Sequence, residues 1–195
     1  MKRFLFQILV ICIPVLSIAQ NPSGPLENRV TSIIDSSHVD NMVLIQSLEI
    51  NVSLDSVWNA YTTKRGWENW ATSIAEIDLR LNGTIKSNYN KEGEIGDEST
   101  ITLHIRNYVP KRLLTLQAEL TNNFPDFMKA DEKDLYNVIL FEEISPDKTK
   151  IISYGIGYKN NEKYMSLMKF FVQGNEQSYL NLISYLESGK PSVKY

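Results

Sequence analysis

The sequence predicts a single α+β domain in which helices cover one side of an antiparallel sheet. A length of 195 residues with 43% apolar content is typical of one globular domain. Between residues 42 and 158, short segments alternate apolar and polar side chains, which is typical of antiparallel strands with one buried face. The C-terminal segment then repeats apolar residues at spacings of three and four, which predicts one long helix packed on the sheet.

The N-terminus, residues 1–19, has the three-part pattern of a secretory signal peptide. A basic head, Met1-Lys2-Arg3, precedes an apolar stretch, and Ser17-Ile18-Ala19 places small residues before a cleavage site at Gln20. The apolar stretch is shorter than the ~20 residues of a membrane-spanning helix, so we expect no stable membrane span after cleavage. The sequence therefore predicts a secreted or periplasmic protein, with an uncleaved membrane anchor as the alternative.

The remainder divides into a linker at 20–41, a folded domain at 42–189 and a tail at 190–195. The linker is rich in Ser, Asn and Pro, with a short ordered piece expected at 30–34. The chain's one cysteine, Cys12, lies inside the signal peptide. The mature protein is therefore expected to hold no disulfide and no cysteine-based metal site.

The folded domain begins with a strand and two short helices. Residues 42–52 alternate as a strand, and Ser53 is placed to cap the helix that follows. A second short helix is expected at 64–71, where Trp67 and Trp70 lie on one side. Aromatic residues at helical spacing are typical of a core, and contact with a ligand is the alternative.

A meander of strands and a long helix complete the domain. Residues 77–81 alternate as a strand, and Asn82-Gly83 is a strong hairpin signal. Further strands are expected at 84–89, 101–106, 114–120, 135–144 and 150–158, with a polar loop at 121–134. A helix of roughly 25 residues is predicted over 164–188, ended by Gly189.

Several stretches carry a resemblance to a known family, and they span most of the domain. They are residues 52–63, 67–70, 75–83, 105–114, 141–143, 149–151 and 157–158. In these stretches the chain resembles the START-like (SRPBCC, helix-grip) superfamily, and within it the bacterial branch named for the activator of the Hsp90 ATPase. The resemblance implies a curved antiparallel sheet of about seven strands wrapped around the C-terminal helix. It also implies a cavity between sheet and helix, which in many relatives binds hydrophobic molecules.

Strand alternation, helical spacing and a flap expected from Phe124 and Met128 in the loop give a set of candidate cavity residues within that fold. The alternative is that the same side chains close into a solid core. The set is Trp67, Trp70, Leu79, Leu81, Ile85, Tyr89, Leu103, Leu116, Phe124, Met128, Tyr136, Val138, Leu140, Glu142, Tyr158, Met165, Met168 and Val172.

Polar residues suited to catalysis or metal binding are sparse. No HExxH, CxxC or phosphate-binding loop occurs, so we expect no metal site and no cofactor. His104 alternates with apolar neighbours and is expected to point away from the cavity, whereas Glu142 is expected to face inward as a candidate acid or base. We assign no catalytic residue. A net charge of −3 with scattered basic residues argues against nucleic-acid binding.

The sequence-based function is therefore a secreted START-like domain that binds a small hydrophobic or amphipathic ligand or lipid. One alternative is an enzyme that uses the cavity for proton transfer, as in a cyclase or hydrolase. Another is a protein-interaction module related to the Hsp90 ATPase activators.

Overall fold

The fold is described from a computed structural model, which covers residues 29–192. It is α+β, with one antiparallel sheet and a long C-terminal helix, as predicted. The signal peptide, Cys12 and residues 193–195 of the tail lie outside the described residues. The strands are β1 (Val30–Asp35), β2 (Asn41–Ile50), β3 (Ile74–Ile77), β4 (Thr84–Asn88), β5 (Ile101–Val109), β6 (Leu113–Ala118), β7 (Tyr136–Ser145) and β8 (Lys148–Lys159). The helices are α1 (Leu54–Thr62), α2 (Lys64–Trp70), α3 (Asp126–Ala130) and α4 (Glu162–Ser188), with a 3-10 turn at Glu132–Asp134.

The described strands form one sheet in the order β1-β2-β8-β7-β6-β5-β4-β3, and each neighbouring pair is antiparallel. Eight strands are present where about seven were expected. The additional strand is β1, which lies inside the segment interpreted as a linker and pairs along its length with β2. Its residues alternate less regularly than those of β2, because an edge strand is covered on fewer sides.

The two short helices begin at the residues that the sequence favours. The Ser53 side chain accepts a hydrogen bond from the Ser56 backbone N–H, and Thr63 accepts one from the Gly66 N–H. Each bond satisfies a backbone donor that the first turn of a helix leaves unpaired. Helix α1 packs Val57, Trp58 and Tyr61 into the core beneath it.

Helix α4 confirms the predicted C-terminal helix and crosses the concave side of the sheet. Its 27 residues extend for about 40 Å at the standard helical rise. Asn161 caps its start by accepting from the Tyr164 N–H, and Gly189 ends it in the left-handed conformation at φ 77°. The helix contributes buried side chains to both halves of the apolar core.

The core consists of two apolar clusters that share the sheet and helix α4. The first, here the tryptophan cluster, includes Trp58, Trp67, Trp70, Ile85 and Phe141. The second, here the methionine cluster, centres on Met42, Leu44, Met128, Tyr164 and Met168. The tryptophan cluster lies beneath α1 and α2, and the methionine cluster lies beneath the segment of residues 120–135.

Strand β3, at Ile74–Ile77, lies earlier in the chain than the strand predicted at 77–81 and shares only Ile77 with it. The alternation at 77–81 indicated a strand, but residues 78–83 form the connection to β4, with Asn82 at φ 61°. Leu81 is 59% exposed as a result. Tyr89 lies just beyond β4 and is 49% exposed. Alternation alone does not separate a strand from a turn that continues the same pattern.

No helix within residues 29–192 is both long enough and apolar enough to cross a bilayer.

Candidate functional site

A cavity of about 230 Å³ lies between the concave face of the sheet and helix α4, beside the methionine cluster. Strands β2, β5, β6, β7 and β8 supply its walls. The segment of residues 120–135, here called the flap, covers it. The described residues that line the cavity are Leu44, Gln46, Leu103, Leu116, Ala118, Leu120, Phe124, Met128, Leu135, Tyr136, Asn137, Ser153, Gly155, Tyr158, Phe171 and Asn175.

Four polar side chains gather at one part of this lining. Gln46 and Ser153 are direct partners across β2 and β8, and both are buried. The Ser153 hydroxyl donates to Asn137 Oδ1 at 2.7 Å, and Asn175 Nδ2 of α4 donates to Gln46 Oε1 at 2.8 Å. These bonds hold three carboxamides and a hydroxyl in a fixed arrangement at the cavity wall, and Asn175 links that arrangement to helix α4.

Asp131 joins the flap to strand β8 and helix α4 through its side chain. Lys159 Nζ lies 2.6 Å from Asp131 Oδ1, and the Tyr164 hydroxyl donates to Oδ2 at 2.9 Å. The Lys159 hydrogen bond is the main reason that the pKa of Asp131 lies below its usual value. Burial, together with the bond to Asp131, raises the pKa of Tyr164. Three apolar flap side chains, Leu120, Phe124 and Met128, are thereby held over the cavity.

Tyr158 enters the cavity because β8 departs from regular alternation near its end. Ile151, Ser153 and Gly155 are buried on the helix side, so regular alternation would send Tyr158 to the outer side. Gly157 has φ 89°, and the register with β2 shifts at this point. The Tyr158 ring lies over Gly155, where an added Cβ would meet it at 3.0 Å. Burial raises the pKa of Tyr158 to about 12, so the phenol is neutral at pH 7.

The structure brings together only part of the predicted cavity set. Leu103, Leu116, Phe124, Met128, Tyr136 and Tyr158 line the cavity. The rest of the predicted set does not.

Trp67 and Trp70 belong to the tryptophan cluster, away from the cavity lining. Their rings are 5.2 Å apart, and Tyr61 lies 5.1 Å from Trp70 and 5.2 Å from Phe141. The indole Nε1–H of Trp70 donates to the Ala60 carbonyl at 2.9 Å. The prediction that these tryptophans line the cavity was therefore wrong. They are core residues, as their helical spacing in the sequence indicates.

The remaining predicted residues from β3 and β4 also lie elsewhere. Ile85 is buried in the tryptophan cluster and Leu79 packs against its edge. Leu81 and Tyr89 are exposed because the strands end before them, as described above.

The predicted facing of β7 was wrong by one residue. Ile139 and Phe141 are buried in the tryptophan cluster, and Asn137 on the same side of β7 lines the cavity. Val138, Leu140 and Glu142 therefore lie on the opposite side, and Glu142 is exposed. The error arises because residues 138–141 are apolar without interruption, so the pattern does not show which of them face the helix side of the sheet.

The side of α4 that faces the cavity was also predicted incorrectly. Met168 is buried in the methionine cluster, and Met165 and Val172 pack against that cluster without lining the cavity. Phe171 and Asn175, one turn apart, supply the helix side of the cavity instead. Several apolar rows run along this helix, so its spacing does not single out one of them.

The polar cavity residues were missed by reasoning from the sequence, although a signal for them exists. Gln46 interrupts the buried row that contains Leu44 and Leu48, and Ser153 follows Ile151 on β8. A polar residue at a buried position requires a hydrogen-bond partner, and such positions are informative.

His104 does not line the cavity. Its Nε2 atom lies 3.6 Å from Glu119 Oε2.

Within residues 29–192, no group of three or more His, Cys, Asp or Glu side chains is placed to hold a metal ion.

Comparison with known proteins agrees with this architecture. The family described as "Activator of Hsp90 ATPase homolog 1-like protein" matches residues 51–187. No curated protein matches the chain.

Solved structures share the fold at low sequence identity. A conserved protein of unknown function from Enterococcus faecalis is 13% identical with a TM-score of 0.59, covering 85% of this chain and 81% of that one. The Aha1 dimer from Colwellia psychrerythraea is 16% identical with a TM-score of 0.56, covering 76% and 98%. An HSP90 activator from Plasmodium falciparum is 16% identical with a TM-score of 0.54, covering 74% and 94%.

These structures establish the helix-grip fold, and the family match extends over more than half of the chain. The chain belongs to the activator of Hsp90 ATPase homolog 1-like family.

Proposed function

We propose that this protein binds a small hydrophobic or amphipathic ligand in the cavity between the sheet and helix α4. The observation that carries the proposal is the cavity itself, whose wall is mostly apolar with a few converging polar groups. This combination is typical of small-molecule sites. Its volume of about 230 Å³ is below the 300–1,000 Å³ common for such sites, which favours a small ligand.

The cavity lining favours binding over proton-transfer catalysis. Its sixteen described residues include no Asp, Glu, Lys, Arg or His. The candidate acid or base, Glu142, lies on the other side of β7. Tyr158, with its pKa of about 12, is a poor base at neutral pH.

A cavity-filling variant tests the proposal. Ala118 lines the cavity, so Ala118→Phe should occupy the space and reduce the affinity for 1-octanol by at least about tenfold. Val138→Phe is the matched control, because Val138 does not line the cavity. Binding is measured by isothermal titration of the purified protein. Equal affinity in both variants would place any binding site outside the cavity.

We further propose that the protein is exported and acts outside the cytoplasm, on the basis of the pattern in residues 1–19. N-terminal sequencing of protein purified from its native cells is expected to begin at Gln20. A chain that retains Met1 at the membrane would instead favour the uncleaved anchor.

A further inference from the structure

The polar part of the cavity wall is made of side chains that are neutral at physiological pH. Gln46 is 1% exposed and Ser153 is 3% exposed, so both are removed from bulk solvent. Their hydrogen bonds to Asn175 and Asn137 tie strands β2, β7 and β8 to helix α4 around one location. Because these groups are carboxamides and a hydroxyl, each of them both donates and accepts.

The groups behind this wall are also held neutral or are already paired. The Tyr179 phenol, which shares a hydrogen bond with Ser153, has a pKa raised by burial. Gln46 Nε2 donates to Ser32 Oγ at 2.9 Å, and that hydroxyl donates to Glu176 at 2.7 Å. The Glu176 carboxylate therefore has a partner of its own, and it does not line the cavity.

The hydrogen bonds within this wall leave one donor group without an acceptor among the described residues. Ser153 occupies Asn137 Oδ1, and no described residue accepts from Asn137 Nδ2. That NH₂ group carries two donors, and Asn137 is among the residues that line the cavity. Leu103, Leu116 and Phe124 provide apolar surface for the rest of a ligand.

We infer that the cavity selects uncharged amphipathic molecules, with an apolar body under the flap and one hydrogen-bonding group at Asn137, Ser153 and Gln46. This inference rests on the proposed binding function and narrows its ligand class. An ionised head group entering this site would lose its hydration and find no opposite charge among the lining residues. A hydroxyl, amide or carbonyl group would replace its hydrogen bonds to water with hydrogen bonds to the carboxamides, with little net change in free energy.

Three probes with the same eight-carbon chain test the selection. At pH 7, 1-octanol is neutral, octanoate is an anion and octylamine is a cation. Isothermal titration of the purified protein is expected to show 1-octanol binding at least about tenfold more tightly than either ion, because unpaired charges are costly to bury. If octanoate or octylamine binds as tightly as 1-octanol, the selection is overturned while the proposed binding function stands. If none of the three binds, both are overturned.

A charge introduced at the polar wall should change the order of preference. In Asn137→Asp the shape is kept and a carboxylate replaces the amide, so octylamine should gain at least about tenfold over its affinity for the parent protein. Asn107→Asp is the matched control, because Asn107 is exposed on β5 and adds the same charge outside the cavity. An equal gain in both variants would overturn the assignment of this wall as the head-group site.

A neutral variant keeps the test independent of a buried carboxylate. Asn137→Leu removes the donor group without adding charge. It should lower the affinity for 1-octanol relative to octane by at least about fivefold, since one hydrogen bond is lost. An unchanged ratio of octanol to octane affinity would contradict the role given to Asn137.

Discussion

At the scale of single residues, the two cores differ in how their buried polar atoms are satisfied. In the methionine cluster the Tyr164 hydroxyl has a carboxylate partner in Asp131. In the tryptophan cluster, the Tyr61 hydroxyl and the Trp67 Nε1–H are buried without a hydrogen-bond partner in the described part of the chain. Burial also raises the pKa of Tyr61, with a contribution from Tyr179. A buried polar atom that lacks a partner lowers stability.

This contrast predicts opposite results for the same substitution at two sites. Tyr61→Phe removes an unpaired hydroxyl and should raise the free energy of unfolding by about 1 kcal/mol, or about 2–4 °C in Tm. Tyr164→Phe removes a paired hydroxyl and should lower Tm. Thermal unfolding followed by circular dichroism measures both. A fall in Tm for Tyr61→Phe would show that its hydroxyl has a partner after all.

The residue scale is also where prediction from sequence was weakest. The facing of β7 could not be read from an uninterrupted apolar run, and the same ambiguity applied to the several apolar rows of α4. Gln46 and Ser153 could have been found as polar interruptions of buried rows, but their meaning depends on which strands are neighbours. Tyr158 was in the predicted cavity set and does line the cavity, but it reaches the cavity through the irregularity at Gly157 and not through regular alternation.

At the scale of elements, the flap and the end of β8 are packed backbone against backbone. A Cβ on Gly157 would overlap the Asp134 carbonyl oxygen, and the φ of 89° disfavours side chains in any case. Gly174 differs, because it lies in the middle of α4 with open space around it.

A matched pair of glycine substitutions follows from this difference. Gly157→Ala should lower the free energy of unfolding by about 2 kcal/mol or more and displace the flap. Gly174→Ala should raise it by about 0.5–1 kcal/mol, since alanine favours the helix. Urea unfolding measures both. Similar effects of the two substitutions would contradict the close packing of the flap on β8.

The attachment of the flap through Asp131 predicts a dependence of stability on pH. Because the pKa of Asp131 is lowered in the folded state, its ionised form is stabilising above the unfolded value of about 3.9. That stabilisation is lost as the pH falls through the lower, folded pKa. The Tm difference between the parent protein and Asp131→Asn should therefore be constant from pH 7 to 5 and shrink below about pH 4.

The control for this measurement is Asp126→Asn in the same segment. Asp126 pairs with Lys129 at 2.8 Å, but its side chain is 98% exposed, so its removal should change Tm little. A Tm difference for Asp131→Asn that persists unchanged at pH 2 would rule out the ionised carboxylate as the fastening group.

Element existence was largely predictable, and so were the element ends that carry a local chemical signal. Ser53 signals the start of α1 and Gly189 signals the end of α4, and the structure confirms both. The position of β3 and the strand at Val30–Asp35 depend on pairing with distant residues, which local patterns do not contain.

At the scale of the whole molecule, the beginning and the end of the described chain meet. Arg29 pairs with Glu187 near the end of α4 at 2.7 Å, and Glu187 also accepts from the Asn51 N–H at 2.8 Å. Burial opposes ionisation of Glu187, but these hydrogen bonds outweigh it and the pKa is lowered overall. The contact joins β1, the turn before α1 and helix α4, which encloses the core from one edge of the sheet.

Both core clusters contribute to the cavity wall. The methionine cluster supplies Leu44, Met128 and Leu135, and the tryptophan cluster supplies Leu116, whereas the tryptophans themselves do not line the cavity. Methionine and leucine side chains adapt to varied apolar shapes, which suits a wall that accepts a ligand.

Methyl NMR during titration with 1-octanol reports binding and its location together. Binding in the cavity should give saturable shifts for the methyl groups of Met128 and Leu116, which line the cavity, and none for exposed Leu81. Val57, buried under α1 in the tryptophan cluster, should also stay unchanged. Shifts at Leu81 or Val57 without shifts at Met128 and Leu116, or no saturable shift at any methyl group, would contradict the proposal that this cavity binds the ligand.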